Sequence, residues 1–560
     1  MLERSQSLRR DLLLLLVLLL PWFLLLTGVR PLSVPDEGRY PEIAREMLLS
    51  GDFITPRING AVFLDKPALY YWLQAVSMQF FGVSATSIRL MPALFGVAGC
   101  LAVFAAGWRW FGRRAAWLSA LVLASSPLYF MASQYANLDL EVATWIALSL
   151  LAFMVGRQAT DPARRRAWLW AAYLAGGLGA LTKGLIGFVL PALVIFAWML
   201  WRRRWRELPS WQLYWLPLAV LLVCLPWYAA VQWYNPQFLH FFFVYQQFQR
   251  YTGGGFNNAF PAWFYLAVLA LTLLPWSFWL PGALRHGWQN RHVGNETYAL
   301  LFAWPLAILL FFSLPASKIV SYILPVTFPL ALLLGARLDA RWREGKPGGW
   351  LALASGILLA ALGVAALVAA GMHKPKLPPG WLLAGMGATL LLAAALCAWG
   401  WRRGMAATVL GLALGGAGLA GWLLPAIPYM ERNSAQAAAE VLKPMLGPDA
   451  VLVSYRNYFQ DLPLYLNRRE LIRVVDDWQD PEIVKTDNWR REFYFALRDQ
   501  PEAREWLLDA AAFKALLAGP RSVYVIARRD NEAELMQLGL QRYWQEGDLQ
   551  IYVRPDHALK

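Results

Sequence analysis

Residues 11–46 read DLLLLLVLLLPWFLLLTGVRPLSVPDEGRYPEIARE, an apolar run that gives way within a few positions to a dense set of charges. A helix from Asp11 to Val29 is long enough to cross a hydrocarbon layer of about 30 Å, with every backbone N–H and C=O satisfied inside the segment. Arg4, Arg9 and Arg10 precede the run, as in a secretory signal. No small-residue cleavage site closes it, however, and more apolar runs follow, which predicts a retained first helix.

Working outward, the same reasoning finds spans at 88–111, 114–131, 138–156, 166–181, 184–201, 211–231, 261–285, 296–313, 319–336, 350–371, 380–401 and 405–424, about thirteen in all. A chain that is 58% hydrophobic with mean hydropathy +0.40 carries more apolar surface than a soluble fold of 560 residues could bury. The expected fold is an all-α polytopic membrane domain over 1–430, including an interfacial segment 30–87, followed by a small soluble α/β domain over 431–560. Cys100, Cys224 and Cys397 lie inside apolar runs, which excludes a disulfide framework and a CxxC metal motif.

The net charge of +15 does not indicate nucleic acid, because the basic residues sit in short clusters between spans. Those clusters alternate. Arg113 and Arg114, Arg164 to Arg166, Arg202 to Arg206, Arg285 and Arg291, Arg337 to Lys346, and Arg402 and Arg403 fall on one side with the amino terminus, which the positive-inside rule makes cytoplasmic. Segments 30–87 and 232–260 and everything after 425 fall on the other side.

In that first outer segment, Ile43, Ala44, Met47 and Leu48 recur at helical spacing with charges between them, predicting an amphipathic helix at the interface. A second such element, Pro67 to Phe81, carries Tyr70, Tyr71, Trp72 and Phe80. In the polar tail, strand-like runs at Ala450–Ser454, Leu471–Val475, Ser522–Ala527 and Gln550–Val553 alternate with helical segments. They lack a glycine-rich phosphate loop, so this domain reads as a lid, partner surface or cap.

An ionisable group at bilayer depth costs about 2.5–3.5 kcal/mol, so such residues usually line a wet cavity or pathway. The outer span ends collect several: Asp36, Glu37 and Arg39; Asp65 and Lys66; Asp139 and Glu141; Lys183; Arg250; Lys318 and Tyr322. Glu141 is equally explained as a helix-end charge reaching the interface, and Asp36 as a favourable charge at a helix amino terminus. Lys183 and Lys318 oppose the charge rule within very short turns. With Lys66 and Arg250 they suit a phosphate or diphosphate. Asp65 and His240 could contribute to a divalent metal site, although a lone His near an aromatic loop is more often a hydrogen-bonded interface residue.

The pattern Pro35-Asp36-Glu37-x-Arg39-Tyr40-x-Glu42-Ile43-x-Arg45-Glu46-Met47, then Gly51-Asp52, then Lys66-Pro67, resembles the GT-C membrane glycosyltransferases. It is most similar to the 4-amino-4-deoxy-L-arabinose transferases that modify lipid A. The match is most specific over 34–96, and Asp65 stands where that family usually has Glu. The resemblance marks Asp36 and Asp139 as functional, and the expected site adds Glu37 as a catalytic residue and Lys66, Arg39, Tyr40, Lys183, Arg250, Lys318 and Tyr322 as donor-phosphate contacts. It further implies an undecaprenyl phosphate-linked sugar as donor, lipid A as acceptor, membrane lipids as surroundings, and a bacterial inner-membrane enzyme whose site and C-terminal domain are periplasmic. Rival readings are transfer of another polyprenyl-linked sugar to a protein or glycan hydroxyl, a lipid-linked sugar flippase, and a membrane scaffold. A flippase should show broken midplane helices or repeats, and no repeat is visible.

Overall fold

The structure is a computed structural model describing residues 2–212, 215–249, 259–292, 296–372, 377–430, 434–484 and 488–555. It divides into two compact units. The first comprises 1–30, 89–229 and 258–430, and the second comprises 31–88, 230–257 and 431–560.

The first unit is helical, and each predicted span carries helix. Among the described residues, Ala85–Phe111, Leu138–Gln158, Val320–Arg343, Gly349–Ala370, Gly380–Arg403 and Met405–Met430 are long and apolar enough to cross a membrane. Two spans are broken instead of straight: Arg113–Ala124 with Pro127–Ser133 bends by 65°, and Phe264–Thr272 with Trp276–Gln289 bends by 111°. A proline stands at each break, Pro127 opening the helix after the first and Pro275 within the second, where it cannot donate to the preceding turn. Ile186–Arg202, Leu218–Tyr234 and Thr297–Ser313 are shorter apolar helices.

The core of this unit is a continuous aliphatic and aromatic cluster containing Trp198, Trp276 and Trp304. Charges within it are paired: Arg113 binds Asp11 at 2.9 Å, and Asp339 accepts Arg343 at 2.6 Å as well as Arg114. Close helix contact is set by small residues. A methyl group at Gly187 would lie 2.1 Å from the Gly179 carbonyl carbon, so only glycine lets Pro162–Lys183 and Ile186–Arg202 meet across their short turn.

In the second unit, a hairpin of β1 (Arg57–Ile58) and β2 (Ala61–Val62) accompanies a six-stranded sheet. The sheet strands are β3 (Val451–Tyr455), β4 (Arg473–Val475), β5 (Leu507–Leu508), β6 (Val523–Arg528), β7 (Gln541–Glu546) and β8 (Leu549–Val553), in the order β5-β4-β3-β6-β8-β7. The first four of that order run parallel, and β8 and β7 close the edge antiparallel. Strand β3 is buried throughout and β6 nearly so, as expected of parallel strands covered on both faces.

Two expectations need correction. The four predicted strands are present, but β5 is too short and β7 too polar and exposed to give an apolar signal. Segment 30–87 was expected with the membrane domain. It packs instead with the sheet: Asn59 donates to the Ile472 carbonyl at 2.8 Å and accepts from the Ile472 N–H at 2.9 Å, extending the start of β4.

Candidate functional site

The helix Asp36–Ser50 forms as its periodicity predicts, with Asp36 and Glu37 in the first turn and Gly51 closing it at φ 73°. Its charges are not solvated, however. Glu37 is fully buried and accepts the Ser33 N–H at 2.8 Å, and Glu42 binds Arg45 at 2.6 and 2.7 Å. Glu46 accepts the N–H groups of Asn59 and Gly60. The amphipathic pattern therefore marks a helix buried among polar partners, because hydrogen-bonded charge pairs can replace water.

Asp36 is left near the surface of this arrangement, about one fifth exposed and paired with Arg39 at 2.8 Å. The Arg39 guanidinium lies 5.0 Å from the centre of the Tyr40 ring and 5.7 Å from that of Phe63. Burial disfavours its charge, but Tyr40, Asp36, Glu492 and Asp65 outweigh that and hold its pKa well above the ordinary value. Tyr40 in turn meets Tyr70 and Tyr71, each with ring centres at 6.2 Å. Burial, then Tyr40 and Asp65, push the Tyr71 phenol far up, so it remains a donor, and its buried oxygen finds no hydrogen-bond partner among the described residues. Lys66 donates to the Asp65 carbonyl at 3.1 Å.

Sequence reasoning gave Tyr70 and Tyr71 only as interfacial aromatics. Their signal as site residues was the adjacent tyrosine pair beside Lys66-Pro67. His240 is exposed, Asp65 is buried, and no group of three or more metal-ligating side chains gathers among the described residues.

In the first unit, Asp139 begins the helix Leu138–Gln158, its N–H capped by the Asn137 side chain at 2.9 Å. One of its carboxylate oxygens takes the Lys183 ammonium and the other accepts Ser321 Oγ at 2.6 Å. Lys183 also lies 5.3 Å from the centre of the Tyr322 ring. The structure thus joins Asp139, Lys183 and Tyr322 and adds Ser321, which sequence reasoning missed although it adjoins Tyr322. Two residues further, buried Glu141 accepts Thr182 Oγ1 at 3.0 Å, so it does not reach outward as a helix-end charge.

Lys318 departs from expectation. It is 3% exposed, and its ammonium donates to the carbonyls of Phe260, Pro315 and Ala316, using three donors on three backbone acceptors. A cation that orders its own turn replaces the phosphate-facing cation that the turn suggested. Arg250 lies outside the described residues.

Residues 10–242 match the family model for dolichyl-phosphate-mannose-protein mannosyltransferases. The chain is 40% identical over 352 residues to an undecaprenyl phosphate-alpha-4-amino-4-deoxy-L-arabinose arabinosyl transferase of Pseudomonas paraeruginosa, covering 61% of this chain and 62% of that relative. The aligned region therefore spans under two thirds of that relative's length. A like-named enzyme of Pseudomonas savastanoi pv. phaseolicola is 35% identical over 373 residues, covering 65% of this chain and 68% of the relative. The crystal structure of ArnT from Cupriavidus metallidurans bound to undecaprenyl phosphate superposes with a TM-score of 0.82 at 27% identity, covering 97% of both chains.

Proposed function

The chain belongs to the family of undecaprenyl phosphate-α-4-amino-4-deoxy-L-arabinose arabinosyl transferases, and from that membership we propose that it moves 4-amino-4-deoxy-L-arabinose from undecaprenyl phosphate to a phosphate of lipid A on the periplasmic face of the inner membrane. The observation that carries this reading is the Asp36–Arg39 pair set against Tyr40 and Tyr71. It offers a carboxylate beside a permanent cation and a neutral buried donor, the set needed to separate a sugar from a phosphate.

In such a reaction the sugar–phosphate bond breaks as positive charge grows at the anomeric carbon and negative charge on the departing phosphate. Asp36 offsets the first. Arg39 and Lys66 stabilise the second, with Tyr40 and Tyr71 completing the polar wall. Lipid A phosphate is already anionic near neutral pH and needs no base to attack, whereas a hydroxyl acceptor would make Asp36 a general base. Glu37, bound to the Ser33 backbone, positions this turn instead of touching substrate. Within the first unit, the Asp139–Lys183–Ser321 cluster is a separate charge-compensated polar group able to accept a hydrogen bond from a hydroxyl or an amine.

The test is mass spectrometry of lipid A from cells lacking the gene, complemented with wild type or Asp36→Asn at equal membrane abundance. The expected result is aminoarabinose-bearing lipid A with the wild type and a loss of about two orders of magnitude with the variant, within the range for removing an electrostatic catalytic group. Normal modification by Asp36→Asn would overturn the role of Asp36, and unmodified lipid A with the wild type would overturn the substrate.

One observation favours a second reading. The two broken helix pairs are the kind of element a lipid-linked sugar flippase uses. A vesicle assay that scores sugar transfer and lipid translocation separately distinguishes the two.

A further inference from the structure

A cavity of about 230 Å³ lies in the second unit, against the helix Asp36–Ser50 and at the amino-terminal ends of β3, β4 and β6. Its charges divide unevenly. Glu42 is taken by Arg45 at 2.6 Å, and Glu470 by Arg468 at 3.0 Å. That leaves Arg473 and Arg521, neither with an ion pair among the described residues, and the exposed Asp449 on the rim.

The two arginines stand close enough to oppose each other: burial and then the Arg521 charge depress the Arg473 guanidinium, while Glu505 only partly compensates. Arg473 is half-buried and Arg521 exposed, so two guanidinium groups of like sign line this cavity, and an anion bound between them would offset their repulsion. Guanidinium groups present paired N–H donors in a plane that matches a tetrahedral oxyanion, and the volume admits one with its hydration.

We propose that this cavity binds a phosphate-type oxyanion, with the Arg473 and Arg521 guanidinium groups as its cations. The already bonded Arg45 and Arg468 also line the cavity, and Arg45 donates to the Arg468 carbonyl at 2.7 Å, so the helix Asp36–Ser50 is tied directly to the cavity's frame. A bound anion therefore braces the helix whose first residue is Asp36. The site stands whether or not the transfer reaction proposed above is correct, because it is read by binding alone. Its phosphate could be free or carried on a glycolipid headgroup.

The full chain, purified in detergent, is titrated with sodium phosphate at constant ionic strength against sodium chloride, and its melting temperature is followed. Phosphate should raise the wild-type melting temperature and chloride should not. Arg473→Gln and Arg521→Gln should each weaken the phosphate effect about tenfold, as expected for losing one hydrogen bond between charged groups. Exposed Arg469→Gln, outside the cavity, should leave it unchanged. Without phosphate, both cavity variants should melt at or above the wild type, since each removes a repulsion, so a folding defect cannot be mistaken for lost binding. A parallel titration with glucosamine 1-phosphate sorts the source: tighter binding than inorganic phosphate assigns a sugar-borne phosphate, and weaker binding assigns the free ion. No stabilisation beyond chloride by either probe, or identical titrations in wild type and both cavity variants, would overturn the proposal.

Discussion

Lys183 and Lys318 look alike in the sequence, each a lone cation in a short turn on the side that should lack them, yet the fold treats them differently. Lys183 meets a carboxylate 44 positions earlier, and Lys318 meets only carbonyls. The sequence shows that a charge is misplaced for topology, but not what neutralises it, because the partner arrives through tertiary packing. The Lys183–Asp139 pair is almost wholly removed from solvent. Removing one partner of a buried pair leaves the other uncompensated, at a cost of about 3–5 kcal/mol. Lys183→Met should therefore lower the melting temperature sharply, and Lys183→Met with Asp139→Asn should recover part of the loss, as measured by thermal unfolding in detergent. A double variant as unstable as the sum of the two single changes would show that the pair is not coupled.

The helix Asp36–Ser50 was legible as a helix and illegible as a buried one. Its repeat of Ile43, Ala44 and Met47 fixes which side packs, but Glu42, Arg45 and Glu46 would look the same facing water. The decisive position is Gly38: a methyl group there would lie 2.7 Å from the Asp461 nitrogen and the Gln460 carbonyl carbon, backbone atoms that cannot rotate away. Gly38→Ala should destabilise by about 1–3 kcal/mol, as overpacking does, and should depress transfer because Asp36 lies two residues away. Gly51→Ala, with φ 73° and open space around it, should cost about 1 kcal/mol and leave transfer near normal.

The same contact carries a pH signature. Burial pushes Asp461 up to about 6, against the pull of Ser434 and the Ala435 N–H, so the folded state holds its proton more tightly than the unfolded chain. This stabilisation is complete below the ordinary aspartate range and is lost as pH rises through about 6. Burial and Glu42 push Glu46 up to about 8, giving a second loss at higher pH. In melting temperature plotted against pH, Asp461→Asn should remove the fall near 6 and keep the one near 8, and an unchanged profile would contradict the assignment.

At the scale of the whole molecule, the sequence shows the membrane class through run length and the family resemblance through a short charged motif. It does not show that 31–88 and 230–257 group with 431–560, since that depends on contacts such as Asn59 with Ile472, more than four hundred residues apart. Orientation, by contrast, is written locally in loop charge. The basic clusters from Arg113 and Arg114 to Arg402 and Arg403 recur in alternate loops, each close enough to a span end to resist translocation. Thirteen crossings from a cytoplasmic amino terminus would leave the carboxyl terminus outside. The two sharply bent spans are where this count is most exposed to error, because a bent pair that returns to its starting side adds no crossing and reverses everything after it. Paired reporters resolve this. A reporter active only in the cytoplasm should be active when inserted after Lys346 and silent at the carboxyl terminus, while one active only in the periplasm should give the opposite pair. Between those two sites the helices long and apolar enough to cross are, among the described residues, Gly349–Ala370, Gly380–Arg403 and Met405–Met430, all unbroken, so opposite signals are expected from these three. If the signals are opposite but inverted, the C-terminal sheet faces the cytoplasm, and segment 31–88, which packs with it through contacts such as Asn59 with Ile472, must lie there too, away from a periplasmic lipid A acceptor. That outcome would overturn the proposed acceptor and the periplasmic placement of the Asp36 cluster together, leaving the family assignment in place.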